Sequence, residues 1–285
     1  FNNSTITALS VVSVFGLVLF IWRELTYKYP IVNLSVLKDG NLRIGTIMCF
    51  ILGFGLYGST LIIPIYTQSV LGWTATDAGL LLIPGSITTA FMMPIVGRLI
   101  QNGVPQGYMV GVGFLIFFFF TLMMYNNMTP DTGAEHLFWP LILRGIGLGL
   151  LFVPITTLSL STLKGKHIGE GAAFTGMMRQ LGGSFGIAII TTFITRFSQK
   201  HRVDLVSNLD GTRLEVQEKI TLLQQGFMSK GFSANEALKK AYQVIDFSVM
   251  KQSTVLAYMD IFLYLGIMFL CCIPIIFFIK KGKNK

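Results

Sequence analysis

The chain has 285 residues, of which 52% are hydrophobic and 12% charged, less than half the roughly 25% charged fraction of ordinary soluble domains. That balance excludes an ordinary soluble domain and points to a polytopic, all-α membrane protein. The formal net charge of +9 (22 basic against 13 acidic residues) raises nucleic acid as a partner, but the basic residues sit at the ends of apolar runs, so membrane lipid accounts for them and no nucleic acid is expected.

About 20 apolar residues cross a bilayer, and by that rule seven spans are expected, at 5–22, 44–67, 76–97, 107–125, 137–159, 172–195 and 255–279. The first has only 18 residues and is polar at its start. The chain opens at Phe1 with neither a basic n-region nor a cleavage site, so it reads as a fragment of a longer protein. Pro64, Pro84, Pro94, Pro154 and Pro274 fall inside spans, where each removes one backbone bond and permits a kink that neighbouring helices can satisfy.

Orientation follows from Lys and Arg in the short loops. Eleven basic residues lie on one side: Arg23, Lys28, Lys38 and Arg43, then Arg98, then Lys164 and Lys166, then Lys280, Lys281, Lys283 and Lys285. The loops 68–75 and 126–136 on the other side carry none, which makes the eleven-residue side, and the C-terminus, cytoplasmic. Trp22, Tyr27 and Tyr29 fit the inner boundary, and Trp73, Tyr125, Trp139 and Tyr258 the outer one.

Nine further basic residues fall in 196–254, an outside segment long enough to be largely exempt from the charge rule. Val216, Ile220, Leu223 and Phe227 are at helical spacing, as are Leu238, Tyr242, Ile245 and Val249. Ser233 and Glu236 form a capping-box pattern, and no Gly or Pro intervenes between residue 234 and Gly266. The second of these helices is therefore expected to run unbroken into the last span. As an amphipathic hairpin the segment can lie on the membrane, meet a partner or cover the bundle as a lid.

Two arginines, Arg144 and Arg179, sit inside apolar runs. An Arg at mid-bilayer costs roughly 2.5 to 3.5 kcal/mol on the translocon scale, so each must be paired or must line a watery cavity. Asp260 lies in the last span at a depth of about 8 Å, close to the roughly 10 Å of Arg144 at 1.5 Å per residue. The two can meet, either as a structural ion pair or as a proton-linked site. Arg179 has no acidic residue at its depth. Gly145, Gly147 and Gly149 follow the first arginine, and Gly182, Gly183 and Gly186 the second. They read as small-residue helix-packing positions, Gly145, Gly149, Gly182 and Gly186 foremost. A nucleotide-binding reading fails because no strand precedes the cluster.

Tyr57, Thr60, Gln68, Thr88, Met92, Met93, Thr156 and Met178 are substrate-cavity candidates, since methionine and aromatic faces suit promiscuous hydrophobic ligands. Asp77 and Glu170 sit at span boundaries as helix N-terminal charges. His136, His167 and His201 all fall in expected loops, which argues against an intramembrane hydrolase. Neither a metal nor a cofactor is expected. Cys49, Cys271 and Cys272 lie in apolar runs, where a disulfide framework is of no use.

Four stretches carry a family resemblance: YGSTLIIPIYTQSVLGWTATDAGLLLIPG (57–85), PIVGRL (94–99), LRGIGLGLLFVPITTLSLSTL (143–163) and MMRQLGGSFGIAI (177–189). In these the chain resembles the C-terminal half of the fourteen-helix drug:proton antiporters of the major facilitator superfamily, the EmrB/QacA type. The resemblance implies a C-terminal six-helix bundle plus one preceding linker helix and a missing N-terminal domain. On that division 1–43 is the second central linker helix with its cytoplasmic connection, and 44–195 holds the first five helices of the transporter domain. An extracytoplasmic hairpin at 196–254 and a last helix with a basic tail at 255–285 complete it. The superfamily's cytoplasmic gate motif has a degenerate echo at Gly97, Arg98 and Leu99, with Gln101 where the acid belongs. Arg144 and the glycines after it echo the arginine motif of the proton-transfer helix.

The implied function is proton-coupled efflux of small amphipathic drugs by alternating access in a bacterial plasma membrane, with Arg144, Arg179 and Asp260 as proton-coupling or charge-relay candidates. A periplasmic adaptor and an outer-membrane channel join the expected partners if the pump is tripartite. The alternative is a non-transporting membrane scaffold or assembly subunit that binds a partner through the extracytoplasmic hairpin. Neither reading makes the chain an enzyme.

Overall fold

A computed structural model describes residues 4–27, 37, 39–209 and 213–278. Lys28, Tyr29, Lys38 and the basic tail lie outside the described residues. Among the described residues eight α-helices follow one another: α1 (Ser4–Thr26), α2 (Gly40–Ser69), α3 (Ala75–Gln101), α4 (Gln106–Asn127), α5 (Ala134–Leu160), α6 (Lys166–Asn208), α7 (Leu214–Met228) and α8 (Ala234–Cys271), with a closing 3-10 turn at Ile273–Phe278. The described residues contain no strand. Among the described residues six helices, α2 to α6 and α8, are long and apolar enough to cross a membrane. Seven spans were expected; α1 covers the first of them but is not among these six, its described apolar stretch being only Thr7–Gly16. Among the described residues it forms no extended packing contact with another helix, and of its described side chains only Glu24 is buried.

Local chemistry sets several of the starts. Asp39 caps α2 by accepting the Leu42 N–H at 2.9 Å, and Thr74 caps α3 by accepting the Asp77 N–H at 3.2 Å. Ser233 and Glu236 close the capping box at the head of α8, supplying partners for amides that the helix itself cannot satisfy.

Two helices outrun the bilayer. α6 has 43 residues and α8 has 38, about 65 and 57 Å at 1.5 Å per residue, against a hydrocarbon core of about 30 Å. The sixth span, expected to stop at 195, continues to Asn208 because neither Gly nor Pro interrupts the chain after Gly186. α8 runs from Ala234 through the last span without a break and stops at Cys271 rather than at 279. Pro274 supplies no backbone N–H and disfavours α geometry in the residue before it, so the chain tightens into the 3-10 turn. The amphipathic first half of α8 packs on α7 beyond the bundle.

In the bundle α2 lies against α6, α6 against α8, α8 against α4 and α4 against α5, and α2–α5 contacts close the ring. α3 packs chiefly on α5. Aromatic rings fill the α4–α8 seam, where Phe117 stacks on Phe269 at 4.1 Å between centroids and Phe120 meets Phe262 edge-on at 5.8 Å. α3 and α6 are the least buried spans. Leu80, Ile83, Ile87, Phe91, Ile95 and Leu99, spaced three or four apart along α3, are all exposed, an outward apolar stripe of the kind that faces lipid or another helical domain.

Candidate functional site

The α2–α6 crossing is set by absent side chains. A Cβ built on Gly53 falls 2.0 Å from the Arg179 carbonyl oxygen, and one on Gly182 falls 2.0 Å from that of Phe50. Gly183 abuts the Tyr57 ring, and Gly186 abuts the Phe54 backbone. Only hydrogen fits at these positions, so the two backbones touch. On the α3–α5 side Gly145 meets the Gly85 carbonyl and Gly149 meets the Met92 Cβ.

Arg144 projects from α5 against α2 and is 5% exposed. Its Nε donates to Ser59 Oγ at 2.9 Å, and its Nη2 donates to Thr60 Oγ1 and to the Leu56 carbonyl. Ser59 in turn donates to the Gly55 carbonyl at 2.6 Å. The guanidinium is thus held by hydroxyls and a carbonyl of α2, not by Asp260 as its depth suggested. Asp260 pairs with His201 Nε2 at 2.7 Å, joining α8 to the C-terminal half of α6. The three histidines do not lie in loops: His136 and His201 are helical, and His167 opens α6, with its Nδ1 2.9 Å from Glu170.

Arg179, on α6, is half-buried. Its guanidinium carbon lies 4.2 Å from the centre of the Phe152 ring of α5, a cation–π distance. Its Nη1 is buried with no hydrogen-bond partner. Among the described residues, no carboxylate reaches ion-pair distance of either Arg144 or Arg179. The Arg179 backbone touches Gly53 of α2, while its guanidinium lies at Phe152, eight residues from Arg144 along α5, about 12 Å at 1.5 Å per residue.

The other candidates scatter. Tyr57 and Thr60 lie on the α2 face described, and the Tyr57 hydroxyl donates to Gln180 Oε1 at 3.0 Å. Thr156 is half-buried one turn from Phe152 and donates to its carbonyl at 2.8 Å. Thr88, Met92 and Met93 are half-buried on α3, with Thr88 bonded to the Pro84 carbonyl. Met178 is half-buried beside Arg179. Gln68 is exposed at the far end of α2, away from this group. Gly97 has open space around it and Arg98 is exposed in the last turn of α3. Asp77 accepts from the Thr74 hydroxyl at 2.7 Å in the first turn of α3.

Ser59, Phe152, Gln180 and Gly53 enter the site without having been singled out in the sequence, and His201 enters it from an expected loop. The small residues of α2, Gly45, Gly53, Gly55, Gly58 and Ser59, were the available signal, because small-residue spacing marks a helix face pressed against another backbone. The arrangement places two arginines, one on α5 and one on α6, against α2, with the Asp260–His201 pair at the α6–α8 seam.

A model of the Major Facilitator Superfamily matches residues 3–187. Fatty acid resistance protein FarB of Neisseria gonorrhoeae is 30% identical over 281 residues, covering 98% of this chain and 53% of that protein. Multidrug export protein EmrB of Escherichia coli (strain K12) is 30% identical over 255 residues, 83% of this chain and 49% of that protein. Colistin resistance protein EmrB of Acinetobacter baumannii is 25% identical over 274 residues, 96% and 52% of the two chains. The chain thus spans about half the length of these relatives. A helical bundle with six candidate spans and a family match over most of its length make it a member of the major facilitator superfamily.

Proposed function

We propose that the chain is the C-terminal half of a fourteen-helix drug:proton antiporter that exports small amphipathic toxic compounds across a bacterial plasma membrane by alternating access. The observation that carries this reading is the pair of intramembrane arginines on α5 and α6, neither matched by a carboxylate among the described residues. A scaffold has no use for unneutralised charge in the bilayer, whereas a transport path does. The names of the relatives, and the half-length they share with this chain, support the exporter class and the half-transporter reading.

In this reading α1 is a central linker helix, and α2 to α6 with α8 form the C-terminal domain, cytoplasmic at the α3–α4 turn and at the C-terminus. The extracytoplasmic portion of α6 to α8 is the surface available to a periplasmic adaptor. The proton is carried by Asp260 with His201, because Arg144 and Arg179 keep their charge throughout, and the arginines answer to it electrostatically. Gate function at Gly97 and Arg98 is weak for want of an acid at Gln101.

Dye efflux from intact cells tests the reading. The chain joined to an N-terminal six-helix domain should lower dye accumulation, and a protonophore should abolish the effect. The 285 residues alone should not pump, because alternating access needs two domains rocking about a midplane site. Efflux by these residues alone would refute the half-transporter part, and protonophore-insensitive efflux would refute proton coupling.

A further inference from the structure

We infer that the α6–α8 seam, at the end nearer the α7–α8 hairpin, binds a membrane lipid with an ammonium headgroup, its head at Asp260 and one acyl chain in the crevice beside it. That crevice, of about 150 Å³, is lined by Phe54 of α2, Ile189 and Phe193 of α6, and Tyr264, Leu265 and Met268 of α8. Its exposed lining is wholly apolar. Tyr264, Ile189 and Phe193 are themselves exposed, so the crevice opens sideways within two spanning helices, where the surrounding medium is hydrocarbon chain rather than water.

The headgroup follows from what stands above the crevice. Asp260 is one turn from Tyr264 on the same face of α8, about 6 Å along the axis at 1.5 Å per residue. His201 donates to its Oδ2 at 2.7 Å, and among the described residues no Lys or Arg reaches ion-pair distance of this carboxylate. One histidine N–H fills one oxygen and leaves the other to a further donor. Between Asp260 and the crevice the Phe197 ring lies 5.6 Å from that of Tyr264 and 5.3 Å from that of Phe193, and aromatic faces favour a cation. The last expected span, 255–279, is about 37 Å long at 1.5 Å per residue against a hydrocarbon core of about 30 Å, so Asp260 falls close to the headgroup boundary. From that boundary inward the seam offers a carboxylate, aromatic rings and an apolar slot, the order in which a lipid presents its ammonium and its chain. A primary ammonium brings N–H donors to the carboxylate, which selects phosphatidylethanolamine; phosphatidylglycerol has none and meets Asp260 as a like charge.

The inference stands apart from the export reading, because its test reads lipid contact and needs no transport. The 285-residue chain is reconstituted in phosphatidylcholine bilayers with a trace of phosphatidylethanolamine carrying a diazirine in one acyl chain, and mass spectrometry locates the photo-attached lipid. Label should fall on 189–193 and 261–268. Unlabelled phosphatidylethanolamine should displace it about fivefold better than phosphatidylglycerol, the discrimination of one modest hydrogen bond. Asp260→Asn should erase that preference, Asp260→Glu should keep it, and Asp77→Asn should leave it unchanged. Leu265→Trp, which fills the crevice and leaves Asp260 in place, should move the label elsewhere while circular dichroism stays that of wild type. Equal displacement by the two lipids in the wild-type chain would overturn the inference. So would label confined to other segments, or an Asp260→Asn chain that keeps the preference. Displacement by dodecylamine but not by phosphatidylethanolamine would give the site to a soluble amine and overturn its assignment to lipid.

Discussion

Replacing Gly182 by alanine adds one methyl group at the tightest point of the α2–α6 crossing. That carbon would fall 2.0 Å from the Phe50 carbonyl oxygen, 2.7 Å from its carbon and 2.9 Å from its Cα, whereas ordinary contact begins at 3.4 Å. All three atoms are backbone, so no rotamer relieves the overlap and α6 must move off α2 by about 1.4 Å. A gap of 0.5 to 1 Å already forfeits a quarter to a half of each dispersion contact, and Gly53, Gly183 and Gly186 lie in the same interface. Overpacking of this kind costs about 1 to 3 kcal/mol. Gly176→Ala on the same helix is the control: its Cβ would meet nothing within 4 Å, so the gain of about 0.5 to 1 kcal/mol from removing a helical glycine should dominate. Thermal unfolding of detergent-solubilised protein should therefore place Gly182→Ala below wild type and Gly176→Ala at or above it. Spin labels on α2 and α6 should separate only in the Gly182 variant. Equal midpoints for the two variants would refute the close-crossing argument.

Ser59→Ala should destabilise the fold by about 1 to 3 kcal/mol, because it leaves a buried charged donor of Arg144 without its acceptor; thermal unfolding checks this, with exposed Thr157→Val near wild type. Asp260→Asn should abolish gradient-driven transport by the joined protein while leaving energy-independent exchange intact, as measured by counterflow in proteoliposomes; loss of both would make the His201 contact structural. A reporter inserted at Lys164 should read cytoplasmic and one at Asn127 external, and reversal of either would overturn the charge-based orientation.

The spans were legible because a bilayer demands about 20 apolar residues whatever the tertiary packing. Helix ends were less so. α6 passes Thr195 without a breaker and becomes amphipathic rather than irregular, so an apolar window stops where the helix does not. The same effect misplaced His201 in a loop and hid its meeting with Asp260, 59 residues along the chain. Arg144 and Arg179 were visible as charges in apolar runs, but their surroundings were not. Arg144 is held by hydroxyls on a helix 85 residues upstream, and hydroxyls in spans are too common to signal a partner. Depth alone therefore paired Arg144 with the wrong residue. The Phe152 ring beneath Arg179 was one aromatic among 24 phenylalanines, with nothing in its spacing to single it out.

The central claim is that Arg179 serves transport rather than the fold, and proton-driven efflux by an Arg179→Gln variant tests it most directly. Glutamine keeps length and hydrogen bonding while removing charge, and in the joined protein its expression and membrane insertion should stay near wild type while dye efflux is lost. Lysine should rescue in part, since the charge survives and the planar fork does not. A glutamine variant that is poorly expressed, yet pumps at the wild-type rate per surviving molecule, would contradict the account.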